Sequence, residues 1–426
     1  MHKFFYILGA GKPFRGSKPS ALHNIEKKTL IDFFIEVAEL INFKTICVTG
    51  FKDKYFETKN PSVKFLKNKI WEKTKSGYSF LSNIQDYNSQ CIITYSDIIF
   101  DKSVVKTLYS IKSDIVIAVD GMWKYRYSQR SISDIRRSEK VFFDKNNLLK
   151  ISQNIISNKS IGEFVGLVKL SKRSMIKLKK INENISNKVK YNLSLADVIN
   201  ILTNEGLRVN FIDLHRGWAE LNHSYDLSQF ILSTKANTLS RLENLITKSK
   251  ILNQLSFTYG NWKENENKFV KKIVNKFYPN EVIVRSSSIN EDNFSQSNAG
   301  LFLTESNITT KNKTKLIKSI KNVFNSYNSK KLTEQILIQP MLKNILASGV
   351  IMTRSKDIGA PYYEVNIDDK SGKTDTITSG KTSDISTFFI SRNINKKKIN
   401  KNFYINKLIS AIQEIEKILK YDSLDI

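Results

Sequence analysis

Three glycines, at positions 9, 11 and 16, follow directly on the apolar stretch Phe4 to Leu8, and Lys12 and Arg15 lie among them. Glycine lets backbone N–H groups turn toward a phosphate chain at close range, and two cations balance its charge. The chemistry this spacing suits is the holding of a nucleoside triphosphate. It is not the P-loop of ATPases, because Gly16 is followed by Ser17 and not by the Lys-Ser/Thr pair that loop needs. A tight turn after a strand is the simpler alternative.

The elements that must position such a loop are visible in the first two hundred residues. Thr45 to Thr49, Cys91 to Tyr95 and Ile115 to Val119 are short β-branched runs of the kind covered on both faces of a sheet. Amphipathic stretches such as Lys28 to Leu40 lie between them. The alternation predicts an α/β fold with a mostly parallel, Rossmann-like sheet and ligands at the carboxyl ends of its strands. Ser194 and Asp197 mark a capped helix start, Leu195, Val198, Ile199 and Leu202 its buried face, and Gly206 its end.

A second block opens near Thr234, with helical patterning over 235–249, strands at Val282 to Val284, Ile336 to Ile338 and Val350 to Met352, and a last helix over Ile405 to Lys420. The expected domains are 1–233 and 234–426, without a long Gly/Pro/Ser linker between them.

Composition narrows the classes. The 426 residues are 40% hydrophobic and 25% charged, as in an ordinary globular chain. Cys47 and Cys91, the two cysteines, sit in apolar runs, which argues against a disulfide framework or a zinc site and fits a reducing cytoplasm. The apolar run from Phe4 is cut off by Gly11-Lys12-Pro13 with no small-x-small cleavage site after it, so a first strand is expected, not a signal peptide. No apolar run approaches the ~20 residues that span a bilayer, so no membrane insertion is expected. The formal charge of +28 invites nucleic acid as a partner. Its lysines, however, are spread through the chain with Asn, Ile and Ser, and the runs 177–180 and 396–398 lack interleaved aromatics.

Leu8-Gly9-Ala10-Gly11-Lys12-Pro13-Phe14-Arg15-Gly16 with Lys18-Pro19-Ser20-Ala21-Leu22 resembles the opening signature of sugar-phosphate and phosphocholine nucleotidyltransferases, in the branch with Gly-Ala-Gly-Lys-Pro and Pro-Ser-Ala-Leu. Further matches follow in order: Trp71, Thr74, Ser76 and Ser79; Tyr95-Ser96-Asp97; Trp123, Arg126, Tyr127, Arg130, Glu139 and Lys140; Gly162 to Gly166; and Trp218 to Asn222 with Asp226. The resemblance implies attack of an acceptor phosphate on the α-phosphorus of CTP or another NTP, with pyrophosphate leaving. The nucleophile is already an anion, so positioning and charge neutralisation carry the reaction.

The resemblance further implies that Asp97 and Asn222 hold Mg²⁺, and an amide at 222 is a weaker ligand than the usual carboxylate. Lys12 and Arg15 then steady the triphosphate, Lys140 or Arg130 meets a small phosphorylated acceptor, and Leu8, Gly9, Ala10, Gly11, Gly16, Ser76 and Ser96 line the nucleotide. Plainer readings stand beside these. Asp97 caps a turn, Asp120 competes for the metal, Arg126 and Arg130 form a solvated helical face, and Trp218 is core.

Val284-Arg285-Ser286-Ser287-Ser288, Glu291-Asp292 and Ala299-Gly300 resemble the nucleotide-binding half of phosphoenolpyruvate synthase, pyruvate phosphate dikinase and related amino-acid kinases such as glutamine kinase, an ATP-grasp domain. Ile338-Gln339-Pro340-Met341, Ser348 to Thr353, Thr378-Ser379-Gly380 and Lys235-Ala236 agree. This implies ATP held by Lys235, Arg285, Ser286, Glu291, Gln339 and Met341. The resembled kinases continue past Leu424-Asp425-Ile426 with a metal-binding glutamate and a histidine domain, so the module is expected to be incomplete. A separate polypeptide that completes it is the partner this implies. A kinase fragment or a non-catalytic nucleotide-binding protein are the alternatives to a fused cytidylyltransferase of surface-polysaccharide synthesis.

Overall fold

The computed structural model describes residues 3–13, 16–25, 28–56, 62–127, 132–143, 149–155, 159–215, 217–222, 226–287, 292–293, 296–297, 303–327, 331–332, 334–355, 358–372, 385–393, 403–419 and 421–426. The chain clusters into two compact units, Met1–Phe230 and Ile231–Ile426.

The first unit is built on a nine-stranded sheet. Strands Val63–Lys67, Lys44–Thr49, Phe4–Gly9 and Cys91–Tyr95 lie side by side and parallel. Gly162–Leu170 runs antiparallel to Cys91–Tyr95, to Ile115–Asp120 and to Lys140–Phe143. Val209–Asp213 is parallel to Ile115–Asp120, and Leu149–Ser152 antiparallel to Lys140–Phe143. Only Gly162–Leu170 and Leu149–Ser152 therefore run against the rest, and the sheet is mostly parallel, as the strand–helix alternation predicts.

The central strands are buried along nearly their whole length, which is why they read as unbroken apolar runs. Helix Leu30–Glu39 starts at a capping box of Thr29 and Asp32. Helix Leu195–Asn204 starts at the box of Ser194 and Asp197 and packs Leu195, Val198, Ile199 and Leu202 into the core. Cys47 and Cys91 are buried free thiols.

The second unit is α+β. Leu255–Thr258, Gln335–Pro340, Glu281–Ser286 and Thr304–Thr309 form an antiparallel sheet in that order. Helices Glu266–Phe277 and Lys313–Asn325 share one core with it, around Val282, Val284, Ile336 and Ile338. A second antiparallel sheet, Ser348–Met352, Tyr362–Asp368 and Ser386–Ser391, packs with helix Phe403–Leu419. The first helix ends earlier than its patterning predicts, at Leu242. Beyond it the N–H groups of Thr247 and Lys248 donate to the Glu414 carboxylate at 3.0 and 2.8 Å, a partner that a continued helix would not allow.

Candidate active site

The glycine turn leaves the sheet at the carboxyl end of its central strand. Leu8 is paired with Tyr95 across parallel strands. A Cβ placed on Gly9 would lie 3.6 Å from the Ser96 Cβ, so Ser96 borders the start of the turn. Gly9 and Ala10 are buried, whereas Gly11, Lys12 and Gly16 are exposed, with Gly16 at φ +88°. Lys12 thus stands in solvent at the mouth of the turn. Arg15 and Phe14 lie outside the described residues, as do Arg130, Ser288, Glu291, Ala299-Gly300 and Thr378-Ser379-Gly380.

Asp97 follows the strand end and is held by a short antiparallel ribbon. Strand Trp218–Glu220 pairs with Ile98–Phe100, setting Glu220 opposite Ile98, and the Leu221 N–H donates to the Asp97 carbonyl at 2.7 Å. Burial, and next the Glu220 charge, push the Asp97 carboxyl up to about 7. Two carboxylates whose charges repel beside a glycine turn suit a hard divalent cation, which takes oxygen ligands and relieves that repulsion. Among the described residues no group of three or more His, Cys, Asp and Glu gathers to cage a metal. A two-carboxylate site leaves the other positions to phosphate oxygens and water, which is how Mg²⁺ is usually held.

Asn222, the expected second ligand, leaves the ribbon. Its backbone N–H donates to Asp226 at 2.7 Å, and Asp226 is 1% exposed. Glu220 is the acidic neighbour that the sequence reading passed over, because only the pairing with Ile98–Phe100 brings its charge near Asp97.

Tyr95 joins the two sides of the site. Its hydroxyl donates to Glu139 at 3.0 Å and lies near Ser76. The Ser76 hydroxyl accepts the Leu195 N–H at 2.9 Å. The ring rests on Gly166, where a Cβ would come within 2.1 Å of it and φ is +82°. Burial raises the Glu139 carboxyl to about 7, against the lowering effect of the Tyr95 hydroxyl and with the charges of Asp197, Glu163 and Glu220 adding to the rise.

Other expected residues are placed differently. Lys140 is 3% exposed, and its ammonium donates to the carbonyls of Ser138 at 3.0 Å and Gln153 at 2.7 Å. Burial lowers its pKa. This lysine is a strut between two loops, and the reading of it as the group that meets the acceptor phosphate is corrected accordingly. Asp120 is fully buried, with one oxygen accepting the Trp218 indole N–H at 3.0 Å and the other the Met122 N–H at 2.9 Å. It does not compete for a cation, and Trp218 is core. Helix Trp123–Arg126 carries Arg126, whose side chain lies outside the described residues.

In the second unit, Lys235 opens helix Lys235–Leu242 next to Arg285 and its neighbours. The Ala236 N–H donates to the Ser287 hydroxyl at 2.9 Å, and the Thr234 hydroxyl to Gln335 at 2.7 Å. Arg285 lies opposite Leu337, and Gln339 opposite Ile283. Facing pairs share a sheet face, so Arg285 and Gln339 lie on the face away from the helical core. Ser286 alternates to the other face, opposite Ile336, and is 7% exposed. Its side chain is therefore not beside Arg285, which corrects its reading as a phosphate donor. Met341 follows the strand, half-buried, with its N–H on the Glu281 carbonyl at 2.8 Å.

Comparison with known proteins agrees with this division. The CTP:phosphoglutamine cytidylyltransferase of Campylobacter jejuni is 21% identical over 244 residues, 52% of this chain and 96% of that protein. Residues 238–402 match the family model of the pyruvate phosphate dikinase AMP/ATP-binding domain. The inositol-1-phosphate CTP transferase from T. maritima overlaps 53% of this chain and 91% of its own at 18% identity and TM-score 0.40. HddC from Yersinia pseudotuberculosis overlaps 52% of this chain and 94% of its own at 15% and 0.37. The chain has a nucleotidyltransferase-like N-terminal region and a dikinase-like ATP-binding region.

Proposed function

We propose that residues 1–233 transfer a cytidylyl group from CTP to a small phosphorylated acceptor and release pyrophosphate, and that residues 234–426 bind ATP. The observation that carries this reading is the meeting of the glycine turn with the Asp97–Glu220 pair at one strand end. The named activity of the Campylobacter relative makes phosphoglutamine the first acceptor to try.

Backbone N–H groups of Gly9 to Lys12 and of Gly16 cradle the triphosphate, and Lys12 offsets its charge at the mouth. An acceptor phosphate oxygen forms a bond to the α-phosphorus while the bond from that phosphorus to the bridging oxygen breaks. The electron pair leaves with pyrophosphate, and no proton needs to be moved by a side chain. Asp97 and Glu220 would hold Mg²⁺, which neutralises charge on the α-phosphate and the leaving group. Tyr95 and Glu139 fix the floor between the base side and the acceptor side. The ATP unit fits a small-molecule kinase that supplies the acceptor's phosphate, a sequence of reactions suited to activated precursors of surface polysaccharides.

The test is pyrophosphate release by the purified full chain with Mg²⁺, CTP and phosphoglutamine, then other acceptor phosphates and NTPs. Release with CTP supports the reading. Silence with every pair overturns it. Among the described residues no helix is long and apolar enough to cross a membrane.

A further inference from the structure

Asn68 is buried, polar and absent from every role above. It follows strand Val63–Lys67, and its backbone N–H donates to the Thr49 carbonyl at 2.8 Å, between two strand ends. The side chain is committed on all sides. Its amide N–H groups donate to the Thr74 hydroxyl at 2.9 Å and the Ser79 hydroxyl at 3.0 Å, and its carbonyl accepts the Ile70 N–H at 3.1 Å. The residue is 2% exposed. The Thr74 hydroxyl donates in turn to the Ile70 carbonyl at 3.0 Å, which closes 68–76 on itself.

That closed loop presents Trp71 to the glycine turn. A Cβ on Gly50 would lie 2.7 Å from the Trp71 Cβ and 2.6 Å from the Ala10 carbonyl, so indole, Gly50 and turn form a contact that only glycine permits. The Phe51 N–H donates to the same Ala10 carbonyl at 2.8 Å, and the Phe51 and Trp71 rings pack edge to face at 5.5 Å. Trp71, Thr74 and Ser76 stay half-buried, available to a ligand beside the turn.

We propose that Asn68 is the positioning residue for nucleobase selection. One buried amide sets the height and tilt of the Trp71–Ser76 wall, and that wall reads the pyrimidine of a triphosphate held by the glycine turn. Asn68 touches no reacting atom. It acts on how well, and how selectively, the nucleotide is held. The inference rests on the proposed cytidylyl transfer.

The test compares kcat and KM for CTP and UTP in the full chain with Asn68→Ala, Thr74→Val and Ser79→Ala. Loss of the buried hydrogen bonds in Asn68→Ala should raise the KM for CTP about tenfold or more. The same change should shrink the preference between CTP and UTP, with kcat changed less than about threefold. Thr74→Val and Ser79→Ala should move KM in the same direction by smaller factors, which keeps the claim testable where Asn68→Ala folds poorly. An unchanged KM and base preference in all three, or a loss confined to kcat, overturns the proposal while leaving the activity standing. A wild-type chain that releases no pyrophosphate from any NTP overturns the activity first and the base selection with it.

Discussion

Gly9 and Ser96 are neighbours across the end of two parallel strands, with 3.6 Å between the Ser96 Cβ and the place a Gly9 Cβ would occupy. The residue after Ser96 is Asp97, so the pairing of two strands brings the glycine turn and a carboxylate to the same strand end. This adjacency follows from the pairing of Leu8 with Tyr95 and needs no long side chain to span a gap.

The two backbone approaches that shape the site predict stability losses. Gly166→Ala would set a methyl 2.1 Å from the Tyr95 ring at φ +82°, and Gly50→Ala a methyl 2.6 Å from the Ala10 carbonyl. Each is expected to cost about 2–4 kcal/mol of unfolding free energy, the range of severe core and backbone strain. Denaturant melts read this. A change below about 0.5 kcal/mol in either variant would contradict the described packing.

The raised carboxyls set a pH dependence of stability. Asp97 and Glu139 bind protons up to about 7 in the folded chain and only to about 4 when unfolded. The folded state therefore holds more protons between those values, and stability falls as pH rises from about 4 through about 7. The melting temperature of the wild-type chain should drop over that window, and Mg²⁺ should recover part of the loss above pH 7. Asp97→Asn should flatten the fall. A melting temperature that rises through the window in wild type and in Asp97→Asn alike would refute the assignment.

Glu220 and Asn222 are separated by substitution. Glu220→Gln removes a charge that raises Asp97, so the acid limb of the pH–rate profile should move to lower pH. The Mg²⁺ concentration for half-maximal rate should meanwhile rise about tenfold or more, as for a lost cation ligand. Asn222→Ala should change that concentration less than about threefold. The reverse ranking would return the ligand role to Asn222.

The second unit should fail independently. Arg285→Ala and Lys235→Ala each remove a cation proposed to balance phosphate charge and are expected to weaken ATP binding about tenfold or more, with pyrophosphate release from CTP unchanged. Calorimetric titration with ATP reads the first and the transfer assay the second. Unaltered ATP affinity in both variants would remove these residues from the site.

Much of the scaffold is legible in the sequence because it rests on local physics. The runs at 45–49, 91–95 and 115–119 suit strands buried on both faces and are such strands, and Ser194 with Asp197 writes its own helix start. What could not be read depends on contacts between distant residues. The closeness of Glu220 to Asp97 depends on pairing of its strand with Ile98–Phe100, so Glu220 stayed hidden behind Asn222. Whether Lys140 reaches solvent depends on the carbonyl of Gln153, thirteen residues on. Asn68 looks like any surface asparagine until Thr74 and Ser79 fold back upon it. Ser286 was readable in principle, since period-two alternation alone puts it on the face opposite Arg285.

The most direct test of the whole account is pyrophosphate release from CTP with phosphoglutamine and Mg²⁺, wild type against Asp97→Asn. The expected result is release by the wild-type chain and a loss of about 10²-fold or more in the variant, on the scale of removing a group that stabilises transition-state charge. The variant should still fold and still bind ATP. Equal rates in the two proteins would show that Asp97 and the glycine turn do not form one catalytic centre.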